Sequence, residues 1–410
     1  MSAAFPSPCA EPAASGRPAR GGGASLSARP LPRIERLQLT EFRNYEALTV
    51  PLDGRHVVLT GDNGAGKTNL LEAVSFLSPG RGMRRASYDA VTRHGAETGF
   101  AVAALLEGRA GAVRIGTGYV PGGEDEDGSR EAGTRRVRVD GTNARTADEL
   151  SDHLRIAWLS PASDGLFTGP AGERRRFLDR LVLALDPTHR RRTNDYERAM
   201  RQRNRLLVER PLTDRWFDGL EWQMAELGVA IATARAELCG LLGAMVERTG
   251  DGPFPRAEIT LEGDAEAHVG TMPSVDVEER LRLMLAESRA RDRAAGRTTA
   301  GPQTTDLQIV HAAKAMPAAL CSTGEQKALL VGLVLAHARL VGEATGMPPV
   351  LLLDEIAAHL DARRRAALFD IIEGIAGQAF MTGTDRALFD ALGERAQFLH
   401  VEDGRVAPHG

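Results

Sequence analysis

Residues 57–77, VVLTGDNGAGKTNLLEAVSFL, decide the fold of this chain. An apolar, β-branched run ends in a glycine-studded turn, and the turn opens on NLLEAVSFL, where apolar residues recur at helical spacing. The turn GDNGAGKT satisfies G-x-x-x-x-G-K-[ST] through Gly61, Gly66, Lys67 and Thr68, between strand and helix as a phosphate loop requires. Each residue type has a reason. Gly61, Gly64 and Gly66 let backbone amides close around a phosphate with no Cβ in the way, while Asp62, Asn63 and Ala65 complete the loop. Lys67 carries a point charge toward the β- and γ-phosphates, Thr68 offers a hydroxyl to Mg²⁺ at the helix N-terminus, and Asn69 follows just inside the helix. The motif leaves open which class of nucleotide-hydrolysing protein this is.

The C-terminal quarter narrows the choice. In PPVLLLDEIAAHLD, residues 348–361, an apolar strand ends in two carboxylates. Asp354 suits contact with Mg²⁺, directly or through water, and Glu355 is placed to orient or deprotonate an attacking water. The same acids would also serve as an ordinary strand end. Upstream, CSTGEQKALLVGLVLAHARL at 321–340 sets Ser322, Thr323 and Gly324 before a long helical pattern. That start is either an anion cradle or a plain N-cap. Order and spacing favour the former: the P-loop, 261 positions from Gly61 to Ser322, a Ser-x-Gly-Glu helix start, then Asp-Glu after an apolar strand, is the order of an ATP-binding-cassette ATPase.

The rest of the 410-residue chain is consistent with this. A hydrophobic content of 42%, a charged content of 26% and a net charge of −4 describe a globular protein that is not globally basic. Its partners are therefore not legible in overall charge. No continuous apolar run reaches the roughly 20 residues of a membrane span, and residues 1–33, rich in Pro, Ala, Gly and Arg, lack a signal-peptide core. We read them as a disordered leader or a mis-assigned start. Cys9, Cys239 and Cys321 have no metal or disulfide spacing, which fits a reducing cytoplasm. Residues 34–165 alternate short strands and turns, and the acidic stretch PGGEDEDGS at 121–129 reads as a solvated hairpin loop. Residues 166–295 are mostly helical, with Pro211 separating two amphipathic stretches that should form a helical pair. Residues 296–410 return to strand–helix alternation. The expected fold is α/β: an ABC-type P-loop ATPase head, its core split and carrying a β-rich lobe, plus a helical arm domain.

From Arg33 to Val406 the chain resembles the RecF family of bacterial DNA repair proteins. LQLTEFRNYEAL at 37–48 is similar to that family's opening strand, GDNGAGKTNLLEAVSFLSPGRGMR at 61–84 to its P-loop region, GERRRFLDRLV at 172–182 to its lobe junction and YERAMRQRNRLL at 196–207 to its arm. The signature helix resembles RecF and SMC-type proteins, where Glu follows the glycine as Glu325 does here. The resemblance implies ATP and Mg²⁺ as ligands, and Ser322 and Gly324 capping the γ-phosphate of nucleotide held by a second copy in an ATP-dependent homodimer. It also implies a weak, DNA-stimulated ATPase in recombinational repair, acting on duplex and single-/double-strand junctions with RecO and RecR to promote RecA loading. Three places depart from the patterns. The transporter switch histidine is missing from QAFMTGTD, which offers Thr382 and Thr384; GPQTTD at 301–306 has Gln303 and Thr304 where the family usually has His and Arg; and LSPASD at 159–164, with Ser160 and Asp164, stands in place of a glutamine loop.

A chain of this charge that binds DNA must concentrate its cations. Thirteen arginines lie between Arg174 and Arg215, among them Arg190, Arg191, Arg192 and Arg203, and Arg81, Arg84 and Arg85 follow the P-loop helix. Both groups are candidate DNA contacts, or else solvated faces. An SMC-like chromosome-structuring ATPase is the alternative function, although the 293 positions from Gly61 to Asp354 leave no room for long coiled-coil arms. A transporter subunit would carry the switch histidine and act with a membrane partner.

Overall fold

The computed structural model describes residues 32–108, 111–122, 133–250 and 252–409; the leader up to residue 31 and most of the acidic 121–129 stretch lie outside the described residues. The chain divides into two units, Met1–Pro161 with Val341–Gly410, and Ala162–Leu340.

The first unit holds two six-stranded sheets. In one, the strands Ala396–Glu402, His56–Thr60, Gln378–Gly383, Val350–Leu353 and Ile156–Leu159 run parallel in that spatial order, and Arg405–Pro408 adds an antiparallel edge. Every residue of the three central strands is buried. Parallel strands covered on both faces have no solvent side, which is why their sequences read as continuous apolar runs instead of alternations. The register sets Gly383 beside Thr60 and Leu353 beside Met381. The glycine turn after Thr60 and the acids after Leu353 therefore leave from the same end of the sheet, with Thr382 on the strand between them.

The second sheet is antiparallel, in the order Tyr45–Pro51, Arg33–Phe42, Phe100–Gly108, Gly111–Val120, Thr134–Val139, Thr142–Asn143. Phe42, Phe76 and Phe100 meet edge to face, with centroids 5.4–5.8 Å apart, and bind this sheet to the end of the P-loop helix. Gln378 joins the two sheets: its side chain accepts from the Ile34 N–H at 2.9 Å and donates to the Arg55 carbonyl at 3.0 Å.

The second unit contains the helices Ala171–Leu185, His189–Glu209, Trp216–Thr249 and Ser274–Ala295. The two on either side of Pro211 pack through Tyr196 and Ala199 against Met224, Ala225 and Val229, which also meet Leu281 and Leu285. A three-stranded sheet pairs Asp306–His311 with Ala257–Glu262 and Met316–Pro317. That pairing draws residues after 296 into the same unit as the helices.

Two helices, Trp216–Thr249 and Thr323–Thr345, have the length and hydropathy of membrane spans, where the sequence shows no uninterrupted apolar run of that length. Their most apolar windows are 50% and 67% buried within the protein, as in core helices.

Candidate nucleotide site

The P-loop glycines have positions that other residues would strain. Gly61, Gly64 and Gly66 stand at φ +143°, +86° and +113°. A Cβ on Gly61 would lie 2.2 Å from the Val401 carbonyl oxygen, and one on Gly66 would lie 2.6 Å from Tyr45 Oη. Gly66 caps the helix Lys67–Ser75, which has no acidic residue in its first turn and no side-chain cap. Its leading N–H groups are thus oriented toward an anion.

Lys67 is buried and folds back on the loop, with Nζ donating to the carbonyls of Gly61 at 2.6 Å and Asp62 at 2.8 Å. Burial pulls its pKa below the ordinary lysine value, against the carboxylates of Glu355, Asp354 and Asp62, which work to raise it. Beside it, Asp354 Oδ1 accepts two hydroxyls, Thr68 Oγ1 at 2.9 Å and Thr382 Oγ1 at 2.8 Å. Thr382 in turn accepts the Glu355 N–H at 2.9 Å. Glu355 is one of the few non-glycine residues in the left-handed region, at φ +55°. Thr68, Asp354 and Glu355, picked from sequence, are thus brought to Lys67 by the sheet register. Thr382 gives its one hydroxyl proton to Asp354 and accepts from Glu355, and Thr384 is exposed.

Sequence reasoning gave no chemical role to Asn44 and Tyr45, although both lie in the stretch LQLTEFRNYEAL at 37–48. Tyr45 Oη donates to the Gly66 carbonyl at 3.0 Å, and burial raises its pKa above the ordinary tyrosine value. Asn44 accepts from Asn69 at 2.8 Å, and Asn69 accepts from Arg84 at 2.8 Å. Only folding places that turn beneath the P-loop. Arg84 also approaches Glu72, which Arg43 holds by two bonds of 2.8 Å. Arg81, Arg84 and Arg85 are exposed, and so are Asp62, Asn63 and Gly64.

Hard oxygen donors and a closed glycine cradle fit a Mg²⁺–nucleotide. Among the described residues no group of three or more His, Cys, Asp or Glu could hold a metal by itself.

In the second unit, Ser322 starts the helix Thr323–Thr345 in a capping arrangement. Its N–H and hydroxyl both donate to Glu325 Oε2, at 3.0 and 2.8 Å. Lys314, paired with Glu325, together with the Ser322 donors lowers that carboxyl to about pKa 2. Ser322 and Gly324 are exposed, with nothing within 4 Å of where a Gly324 Cβ would stand. Asp164 accepts from Lys327 at 3.0 Å, and Ser160 is buried. Gln303 accepts from Tyr196 Oη at 2.6 Å and donates to the Ala300 carbonyl at 2.7 Å, so this departure from the family stretch has a packing use.

The arginine-rich region separates into two kinds. Arg191 is exposed and Arg190 half-buried, while Arg192 pairs with Asp186 at 2.6 Å. Arg174 pairs with Asp306 at 2.7 Å, and Arg203 is 0% exposed. Arg203, one of the thirteen arginines of this region, is neither a DNA-facing cation nor part of a solvated face: its guanidinium pairs with buried Glu221 and Asp292.

Comparison with known proteins agrees with this geometry. Residues 33–406 match the family described as RecF/RecN/SMC N terminal domain. The chain is 62% identical to the DNA replication and repair protein RecF of Rhizobium etli over 374 residues, covering 91% of this chain and 98% of the relative. It is equally 62% identical to the protein of that name from Mesorhizobium japonicum, over 92% of this chain and 97% of the relative. A solved structure of the recombination mediator protein RecF with ATP superposes with a TM-score of 0.80 at 23% identity, over 93% of this chain and 99% of that one. Phosphate loop, acid pair, signature helix and near-full-length identity converge, and the chain belongs to the RecF family of SMC/ABC-type ATPases.

Proposed function

We propose that this chain is an ATP-dependent DNA-binding protein of recombinational repair and replication restart, acting in the cytoplasm without a membrane partner. Two copies, joined head to tail by ATP, clamp duplex DNA near single-strand gaps and, with RecO and RecR, promote RecA loading. The observation that carries the reading is the Thr68–Asp354 bond of 2.9 Å beside a buried Lys67, in a chain so close to named RecF proteins. Gly61, Asp62, Asn63, Gly64, Ala65, Gly66 and Asn69 form the phosphate cradle, and Lys67 leaves its loop carbonyls for the phosphates. Thr68 and Asp354 hold Mg²⁺, which supplies charge neutralisation when bound. Glu355 takes the proton of the attacking water as the water oxygen bonds to the γ-phosphorus and the β–γ bridge breaks. Ser322 and Gly324 close the site of the other copy, and exposure of both supports that role. Arg81, Arg84, Arg85, Arg190, Arg191 and Arg192 are the proposed DNA contacts. The SMC-like alternative is disfavoured by the second unit, whose longest helix has 34 residues and gives way to a strand and a 22-residue helix.

The test is Glu355→Gln, sized by light scattering with ATP and gapped duplex DNA. A dimer trapped on DNA with turnover lost is expected. A monomer that turns over ATP and grips duplex would overturn the reading.

A further inference from the structure

Thr382 lies at the end of the strand between the P-loop strand and the acid-bearing strand, and it is 1% exposed. Its hydroxyl donates to Asp354 Oδ1 at 2.8 Å and accepts the Glu355 N–H at 2.9 Å. One small group thus touches both acids, the proposed metal holder Asp354 through its carboxylate and the proposed base Glu355 through its backbone. Glu355 stands at φ +55°, a conformation that a residue with a Cβ keeps only where its surroundings impose it. The N–H bond to Thr382 is such an imposition, because it fixes the peptide between Asp354 and Glu355. The second bond fixes the Asp354 carboxylate in the rotamer that also meets Thr68 Oγ1 at 2.9 Å. With its proton and a lone pair both engaged, Thr382 has no hydrogen-bonding capacity turned to a γ-phosphate.

We propose that Thr382 is a positioning residue for ATP hydrolysis, setting Asp354 toward the metal and Glu355 toward the water from a single hydroxyl. This rests on the assignment of the site to ATP hydrolysis. Phosphoryl transfer depends on alignment within fractions of an ångström, so loss of the hydroxyl should reduce the chemical step more than nucleotide binding. Thr382 is linked to the phosphate cradle by hydrogen bonds through Asp354, which meets Thr68.

Thr382→Val keeps the shape and removes both bonds, whereas Thr382→Ser keeps the hydroxyl. Full-length wild type, both variants and Lys67→Ala would be compared in three ways. These are steady-state ATP turnover with duplex DNA, binding of a fluorescent ATP analogue without metal, and hydrogen exchange of the peptide containing Glu355. We expect Thr382→Val to lose turnover by roughly 10- to 100-fold, the scale of a misaligned catalytic group, with KM and analogue binding retained. Its Glu355 amide should exchange faster, and Thr382→Ser should restore both turnover and protection. Wild-type turnover lost in Lys67→Ala but kept in Thr382→Val would overturn the positioning role alone. So would a Thr382→Val loss matched by equal loss of analogue binding and not rescued by serine, which would mark a merely structural residue. A wild-type chain without turnover would overturn the ATPase assignment, and the positioning role with it.

Discussion

Gly66 combines a backbone at φ +113°, a side-chain direction blocked by Tyr45 Oη at 2.6 Å, and the cap of the P-loop helix. Alanine there meets two penalties, the left-handed strain and the collision, together about 1–3 kcal/mol. We predict that Gly66→Ala lowers the urea midpoint accordingly and abolishes binding of a fluorescent ATP analogue. Adding Tyr45→Phe removes only part of the collision, since Asn44 Nδ2 lies 2.7 Å from the same Cβ position, and leaves the strain, so affinity should stay lost. Gly324 differs: it is exposed, with open space where a Cβ would stand. Both glycines lie in motifs, but only Gly66 has a role fixed within the described chain. Thr382 shows the opposite case, a residue with no motif of its own that two hydrogen bonds tie to both acids.

At the scale of elements, the helices of the second unit are joined by buried charge as well as by apolar packing. Arg203, on His189–Glu209, reaches Glu221 at 3.0 Å on the next helix, and Asp292 at 2.7 Å and the Leu285 carbonyl at 2.6 Å on Ser274–Ala295. Removing one partner strands the others without water, so Arg203→Leu should destabilise the protein by about 3–5 kcal/mol in chemical denaturation. Lysine should not rescue it, because the planar guanidinium fork bonds in several directions at once. The signature helix supplies a pH dependence. His337 is buried, its Nε2–H donates to the Leu181 carbonyl at 2.9 Å, and burial lowers its pKa from 6.5 to about 4. The unfolded chain therefore binds the extra proton first. Stability from this group is complete above pH 6.5 and falls as pH drops toward 4, by about 3 kcal/mol in all. Denaturation midpoints of wild type and His337→Gln between pH 4 and 7 should diverge in that window, with the variant flatter.

At the scale of the whole molecule, a net charge of −4 means that the proposed DNA affinity must come from local patches and be sensitive to salt. Arg190 and Arg191 are the cleaner test, since Arg192 is also bonded to Asp186. Charge reversal at Arg190 and Arg191 should weaken ATP-dependent duplex binding and reduce the slope of log K against log salt by about 0.9 for each phosphate no longer neutralised. The melting temperature should change little. An unchanged slope would put the DNA path elsewhere on the protein.

The sequence by itself determined the phosphate loop, the acid pair and the signature helix start, together with the strands and helices that carry them, because these depend on local chemistry: glycine for tight backbone, continuous apolar runs for strands buried on both faces, helical spacing for helices. It could not separate Arg203 from Arg191, because two arginines on one helix look alike until Glu221 and Asp292 arrive from elsewhere in the chain. Nor could it assign Tyr45, Asn44 or Thr382, whose partners lie 21 to 28 residues away. Only the tertiary structure decided those roles, since strand register and helix packing set which distant polar groups share a space closed to water.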